Sequence, residues 1–195
     1  MSKSIFKFKK FDLDQENAPF KFGTDSMILG SWVQGKNIQN VLDIGTGTGA
    51  LALMAAQKFE EAIVDAVEID PQAAEIARKN FAHSSFDFRL NLYQQKFQDF
   101  AQDEIFHYDL IISNPPYFEP VNRNKGIGNE FGTKKEKAKS TLELSFEDLV
   151  KGVNKLLHHN AKFAFILPNK QAGELEELFK AAGFYPARRL KIRSK

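Results

Sequence analysis

The residues best suited to chemistry fall in two short motifs. The first is Asp43-Ile-Gly-Thr-Gly-Thr-Gly49, with Glu68 nineteen residues beyond it. Glycine has no Cβ, so Gly45, Gly47 and Gly49 let the chain turn sharply and bring its backbone against a ligand. A carboxylate at Glu68 can accept both hydroxyl protons of a ribose, which points to an adenosine-like ligand. Gly45, Gly47 and Ala50 also satisfy the relaxed Gly-x-Gly-x-x-Gly/Ala pattern, so a nicotinamide dinucleotide is the competing ligand and a plain strand-to-helix turn the simplest alternative. Asp43 separates the two ligands. A carboxylate there repels a pyrophosphate but attracts the ammonium of a methionine moiety, which favours S-adenosylmethionine as the cofactor.

The second motif is Asn114-Pro115-Pro116-Tyr117. An exocyclic amine on a nucleobase is a poor nucleophile because its lone pair is delocalised into the ring. Two acceptors around it, the side-chain oxygen of Asn114 and the carbonyl of Pro115, can hold both N–H bonds and turn the lone pair outward. Proline stiffens this backbone and leaves the carbonyl free of helical bonding. Tyr117 offers an aromatic face for stacking a flipped or single-stranded base, and Phe118 can extend it. No strong general base is needed, so the expected catalysis is orientation. A proline-rich turn ending a strand is the plain alternative, and it is the pairing with the glycine turn that gives the motif weight.

The elements that position these motifs alternate. Thr24 or Asp25 can cap a helix through Val33, with Gly35 and Asn37 as the stop. Asn40–Ile44 reads as a strand, the glycines as a turn and Ala50–Lys58 as a helix. Ile63–Glu68 reads as the second strand, Pro71–Ala82 as a helix with proline in its first turn, Phe86–Tyr93 as the third strand and Tyr108–Ser113 as the fourth. Ser145, with Asp148 three residues on, caps a helix to about His158. A strand at Ala161–Leu167, a helix at Lys170–Ala182, a glycine stop at Gly183 and a strand from about Phe184 complete the pattern. This alternation implies an α/β, doubly wound, mostly parallel sheet, whose ligands lie beyond the carboxyl ends of the strands. The stretch 118–141 is polar, basic and aperiodic, as expected of a functional loop.

The chain has 195 residues, 43% of them hydrophobic, enough for one domain spanning 1–195. No run approaches the length of a membrane span and no secretory signal opens the chain, so a cytoplasmic protein is expected. With no cysteine and no His-Glu-x-x-His pattern, no metal is expected. The net charge of +2 hides an uneven distribution. Residues 1–11 hold +4 (Lys3, Lys7, Lys9, Lys10). Residues 120–141 also hold +4, from Arg123, Lys125, Lys134, Lys135, Lys137 and Lys139 against Glu130 and Glu136. The last ten residues hold +5, so these thirteen positive charges leave minus eleven for the remainder. An acidic body with three basic segments suits a polyanionic partner, although each segment alone is equally a solvated surface.

On these residues the chain resembles the class I methyltransferases, and within them the bacterial tRNA(Val) adenine-N6 methyltransferases. The resemblance covers almost the whole chain. It includes Phe20-Lys-Phe-Gly-Thr-Asp-Ser-Met-Ile-Leu-Gly-Ser-Trp32, which is similar to that family's segment before the glycine turn (within 1–35 here), Ala138-Lys139, and Leu144-Ser-Phe-Glu-Asp-Leu149. It implies a Rossmann-like fold, S-adenosylmethionine as donor, adenine in tRNA as acceptor, and donor contacts at Lys21, Gly23, Thr24 and Asp25; separately, a monomer is expected. From their charge, the basic segments are expected to place Lys7, Lys9, Lys10, Arg123, Lys134, Lys135, Lys137 and Lys139 against tRNA phosphates. Many relatives hold the donor adenine with an acid after the third strand. This chain has Gln94-Gln-Lys-Phe97, which leaves Gln95 or the backbone for that contact, and Asn114 is expected to touch the donor as well as the amine. The family's sheet normally ends in an antiparallel hairpin. Here only its first strand is expected before Lys195, so the final antiparallel strand is expected to be absent. Glutamine methyltransferases of release factors resemble the chain at both motifs but usually carry a helical domain first. A donor- or RNA-binding protein without activity is the third reading.

Overall fold

A computed structural model describes residues 5–103, 107–115 and 144–193. Its element order is β1 (Ile5–Lys7), β2 (Asp12–Asp14), α1 (Thr24–Trp32), β3 (Asn40–Ile44), α2 (Ala50–Lys58), β4 (Ile63–Glu68), α3 (Pro71–Ala82), β5 (Leu90–Gln94), α4 (Phe97–Asp103), β6 (Tyr108–Ser113), α5 (Phe146–Leu156), β7 (Leu157–Phe165) and α6 (Asn169–Ala181). Five strands form one sheet in the order β5-β4-β3-β6-β7. Every neighbouring pair in it is parallel, as the alternation implies.

Parallel strands covered on both faces need apolar side chains on both, and β3 and β6 supply them. Val41 and Leu110 face one layer with Leu51, Leu53 and Phe81. Leu42, Ile44 and Ile111 face the other with Phe100, Leu149 and Val153. Buried Asp65 is paired on both oxygens: the Tyr108 hydroxyl donates to Asp65 Oδ2 at 2.6 Å and Asn91 Nδ2 to Asp65 Oδ1 at 2.8 Å.

The structure departs from the sequence reading at several boundaries. Gly23, not Thr24 or Asp25, is the N-cap of α1, and no side chain caps it. Residues 87–89 form a 3-10 turn instead of strand, so β5 starts only at Leu90. The reason is Arg89, whose guanidinium turns back onto the carbonyls of Ala56, Phe59 and Ala62 at the end of α2. β7 begins four residues earlier than expected, at Leu157, and accommodates the extra length by a register shift against β6 and a left-handed Asn160 (φ 66°).

The strand expected from about Phe184 does not form. Phe184 packs its ring on Phe179 at 5.2 Å, and Arg188 lies over the Trp32 ring at 4.9 Å and donates to Gln34 Oε1. Side-chain contacts rather than backbone pairing thus hold this segment. Two features lacked a usable period. β1 and β2 form an antiparallel pair of three residues each, and α4 is seven residues long. The expected cap at Ser145 is present, its hydroxyl accepting from the Asp148 amide at 3.0 Å.

Candidate donor and amine site

The register of the sheet brings the two motifs side by side. Ile44 pairs with Val67 on one side and Ser113 on the other, and Glu68 pairs with Gln94. Residues following these ends therefore lie in one row, with strands spaced about 4.8 Å apart. Asp43, Gly45, Glu68, Gln95 and Asn114 all fall in or next to that row. Ser113 fixes it further, since its buried hydroxyl donates to the Ile44 carbonyl at 2.9 Å.

The glycine turn is anchored from below by the Gly45 and Thr46 amides, which both donate to Val67 O. Its glycines divide by role. Gly45 and Gly47 have φ of 70° and 58°, and a Cβ built on either meets nothing within 4 Å. The space above both is open to a ligand, with Gly45 exposed and Gly47 half-buried. Gly49 instead makes a close approach: a Cβ there would lie 2.5 Å from Phe81 Cε1. It is a packing glycine at the N-cap of α2.

Glu68 is buried and engaged by two amides, Gly47 to Oε2 at 2.8 Å and Asp70 to Oε1 at 2.9 Å. Each carboxylate oxygen keeps a lone pair for a further hydroxyl donor. Asp43 is fully buried at the end of β3. Its Oδ2 accepts from the Thr46 hydroxyl at 2.6 Å, while Oδ1 has no hydrogen-bond partner. Burial pushes the Asp43 carboxyl up to about 7. The Thr46 hydroxyl and the Ala52 amide oppose this, and the nearby Glu68 charge adds to it.

Across the row, Asn114 is half-buried and Pro115 buried. The Asn114 Nδ2 donates to the Ser26 hydroxyl on α1 at 2.7 Å. Helix α1 is itself locked in place. Lys58 at the end of α2 donates to the carbonyls of Gly30, Ser31 and Val33, and Gly30 leaves no room for a Cβ beside Met54. Desolvation in this setting lowers the Lys58 pKa.

The N-terminal arm reaches the turn through Asn80. Its Nδ2 donates to Asp14 O and Thr48 O, and its Oδ1 accepts from the Asp14 amide. Sequence reasoning missed Asn80 and Ser26, because an Asn inside a helix and a Ser in a helix's first turn carry no local signal of a distant partner.

A model for the methyltransferase small domain matches residues 18–169. The tRNA1(Val) (adenine(37)-N6)-methyltransferase of Pedobacter heparinus is 43% identical over 98% of this chain and 79% of its own length. That of Parabacteroides distasonis is 38% identical over 96% of this chain and 76% of its own. The chain belongs to the methyltransferase small domain family. The fold agrees. The ribosomal protein L11 methylase of Lactobacillus delbrueckii subsp. bulgaricus superposes with a TM-score of 0.60 at 21% identity, over 87% of this chain and 71% of that one.

As a member of this family the chain is a methyltransferase with S-adenosylmethionine as its cofactor. Two observations fit that group. Oδ1 of buried Asp43 is left without a hydrogen-bond partner, which suits a ligand carrying an ammonium, and the open space above Gly45 and Gly47 suits the body of the ligand. A pyrophosphate at the same place would face the Asp43 charge.

The other residues singled out from the sequence are placed as follows. Gly23 and Thr24 are exposed and Asp25 half-buried at the start of α1, with exposed Lys21 just before it. Gln95 is half-buried, directly after β5. Lys7 and Lys9 are exposed, and Lys10 pairs with Glu60 at 3.1 Å, near the end of α2 that lies away from the glycine turn. Pro116, Tyr117, Arg123, Lys134, Lys135, Lys137 and Lys139, with the whole loop 118–141, lie outside the described residues. Among the described residues no helix is long and apolar enough to cross a membrane, and no group of side chains is placed to hold a metal ion.

Proposed function

We propose that the chain methylates the exocyclic N6 amine of adenine in tRNA, beside the anticodon of tRNA(Val). The observation that carries this reading is the seating of Asn114 and Pro115 on the strand next to the glycine turn, held there by the Ser113 bond to Ile44. The relatives' shared name supports the choice of acceptor.

Bound over Gly45 and Gly47, S-adenosylmethionine supplies an electrophilic methyl group. The residues of the chain do the rest. Asp43 receives the amino-acid end and Glu68 the ribose, with Gln95 beside the base, while Lys21, Gly23, Thr24 and Asp25 close the site from the start of α1. Asn114 Oδ1 and the Pro115 carbonyl accept hydrogen bonds from the two N–H groups of adenine N6 and hold the nitrogen pyramidal, its lone pair directed at the donor, and the nitrogen, acidic once methylated, releases one of those protons to water. The stiff Pro115-Pro116 backbone keeps that carbonyl in place, and Tyr117 stacks on the base. Lys7, Lys9, Lys10, Arg123, Lys134, Lys135, Lys137 and Lys139 contact phosphates. The chain acts in the cytoplasm as a monomeric single domain, with 118–141 as its substrate loop.

The test is incubation with labelled donor and bulk tRNA followed by nucleoside analysis. Label in N6-methyladenosine supports the reading. Incorporation into any other nucleoside overturns the acceptor assignment.

A further inference from the structure

The amide of Asn114 can serve as an acceptor only in one of its two orientations. Rotation about its last torsion exchanges oxygen for nitrogen at little intrinsic cost, because that torsion is broad and roughly two-fold. With the nitrogen facing the substrate, an N–H donor would oppose the N–H donors of the adenine amine. The carboxamide must therefore be held in place, with its oxygen free for the substrate. Asn114 Oδ1 accepts no hydrogen bond from a described residue, whereas Nδ2 donates to Ser26 at 2.7 Å. Ser26 is buried, 9% exposed, and sits in the first turn of α1.

We propose that Ser26 is a positioning residue for the methyl-transfer step, its buried hydroxyl anchoring the Asn114 carboxamide to α1 so that the carboxamide is held in place beside the adenine amine. This rests on the reading of Asn114 as an acceptor for that amine. The support behind Ser26 is stiff. Helix α1 is tied at its far end by Lys58 to three of its carbonyls, and Lys58 belongs to α2, whose N-cap is Gly49 of the glycine turn. The chain thus runs donor turn, α2, Lys58, α1, Ser26, Asn114. The same rigid pair of helices sets both the donor turn and the orientation of the group that receives the amine.

The experiment compares Ser26→Ala, Ser26→Thr and Ser26→Val in the full chain, alone and with Asn114→Ala, by single-turnover methylation of tRNA, donor affinity and thermal unfolding. Thr and Val have nearly the same shape and differ in the hydroxyl, so the pair remains informative if Ser26→Ala folds poorly. The hydroxyl-lacking variants are expected to react roughly tenfold more slowly, the loss of one orienting hydrogen bond, with donor affinity unchanged and Ser26→Thr restored toward wild type. On top of Asn114→Ala, the same changes are expected to have no further effect, since their route of action is gone. A full additional loss in the Asn114→Ala background, or equal rates for Thr and Val, overturns the positioning role. If Asn114→Ala alone reacts at the wild-type rate, it is the acceptor reading of Asn114 that has failed, and the role of Ser26 falls with it.

Discussion

Asp43 sits fully buried at the end of β3 with its carboxyl pushed up to about 7 by desolvation. In the ligand-free chain it is therefore about nine-tenths protonated at pH 6 and about nine-tenths ionised at pH 8. An ammonium ligand is held by the ionised form. The binding-competent fraction rises about tenfold across those two pH units, so apparent affinity rises by the same factor. S-adenosylhomocysteine, the demethylated donor, keeps the amino-acid and nucleoside parts and is a suitable probe.

Titration calorimetry at pH 6 and pH 8 in two buffers of different ionisation enthalpy should show the tenfold change, with proton release on binding near pH 6. Asp43→Asn should bind more weakly and lose the pH dependence. The same group has a stability signature. Native Asp43 keeps its proton up to about pH 7, whereas an unfolded aspartate loses it near its ordinary value of 3.8. Between these values the native state holds more protons, so stability falls as pH rises through the window, by up to about 4 kcal/mol, and levels off above it. Asp43→Asn should flatten that decline. Equal affinity of the wild-type chain at both pH values, or an undiminished pH effect in the Asn variant, would refute the assignment of Asp43 to the ammonium.

Three other outcomes follow from the same site. Gly49→Ala forces a Cβ to within 2.5 Å of Phe81 at a left-handed φ and should lower stability by about 1–3 kcal/mol in denaturant unfolding, whereas Gly47→Ala, with open space but φ 58°, should cost about 1 kcal/mol of backbone strain and also weaken donor binding. Asn80→Ala removes the bonds to Asp14 and Thr48 and should cost about 2–3 kcal/mol, seen as a fall in Tm of about 4–12 °C and early proteolysis of the N-terminal arm. Reversing charge at Lys134, Lys135 and Lys137 should weaken tRNA binding and reduce the slope of log K against log salt by about 2–3, while an unchanged slope would make these lysines merely solvated.

The parallel core was legible because its strands are short apolar runs and its helices follow them at regular spacing. Asn40–Ile44, Ile63–Glu68 and Tyr108–Ser113 match the strand bounds read from sequence. Local signals also carried the cap at Ser145 and the helix entry at Pro71. What was not legible depends on distant contacts. Arg89 looks like an ordinary strand charge until its reach to the end of α2 is known. Lys58, Asn80 and Ser26 each act through partners more than twenty residues away. The strand expected at Phe184 had the right composition, but its backbone pairs with no strand among the described residues. Within the glycine turn, the motif named all three glycines alike; only the position of Phe81 separates the packing glycine Gly49 from the two open ones.

The central claim is that Asn114 presents adenine N6 to the donor held beside it. Its most direct test is nucleoside analysis of tRNA after single-turnover reaction with wild-type chain and with Asn114→Ala. The account predicts N6-methyladenosine from the wild type and a rate lower by roughly 10²–10³-fold from the variant at saturating donor. N6-methyladenosine formed at the wild-type rate by Asn114→Ala would contradict it, as would a methylated nucleoside other than adenosine from the wild type.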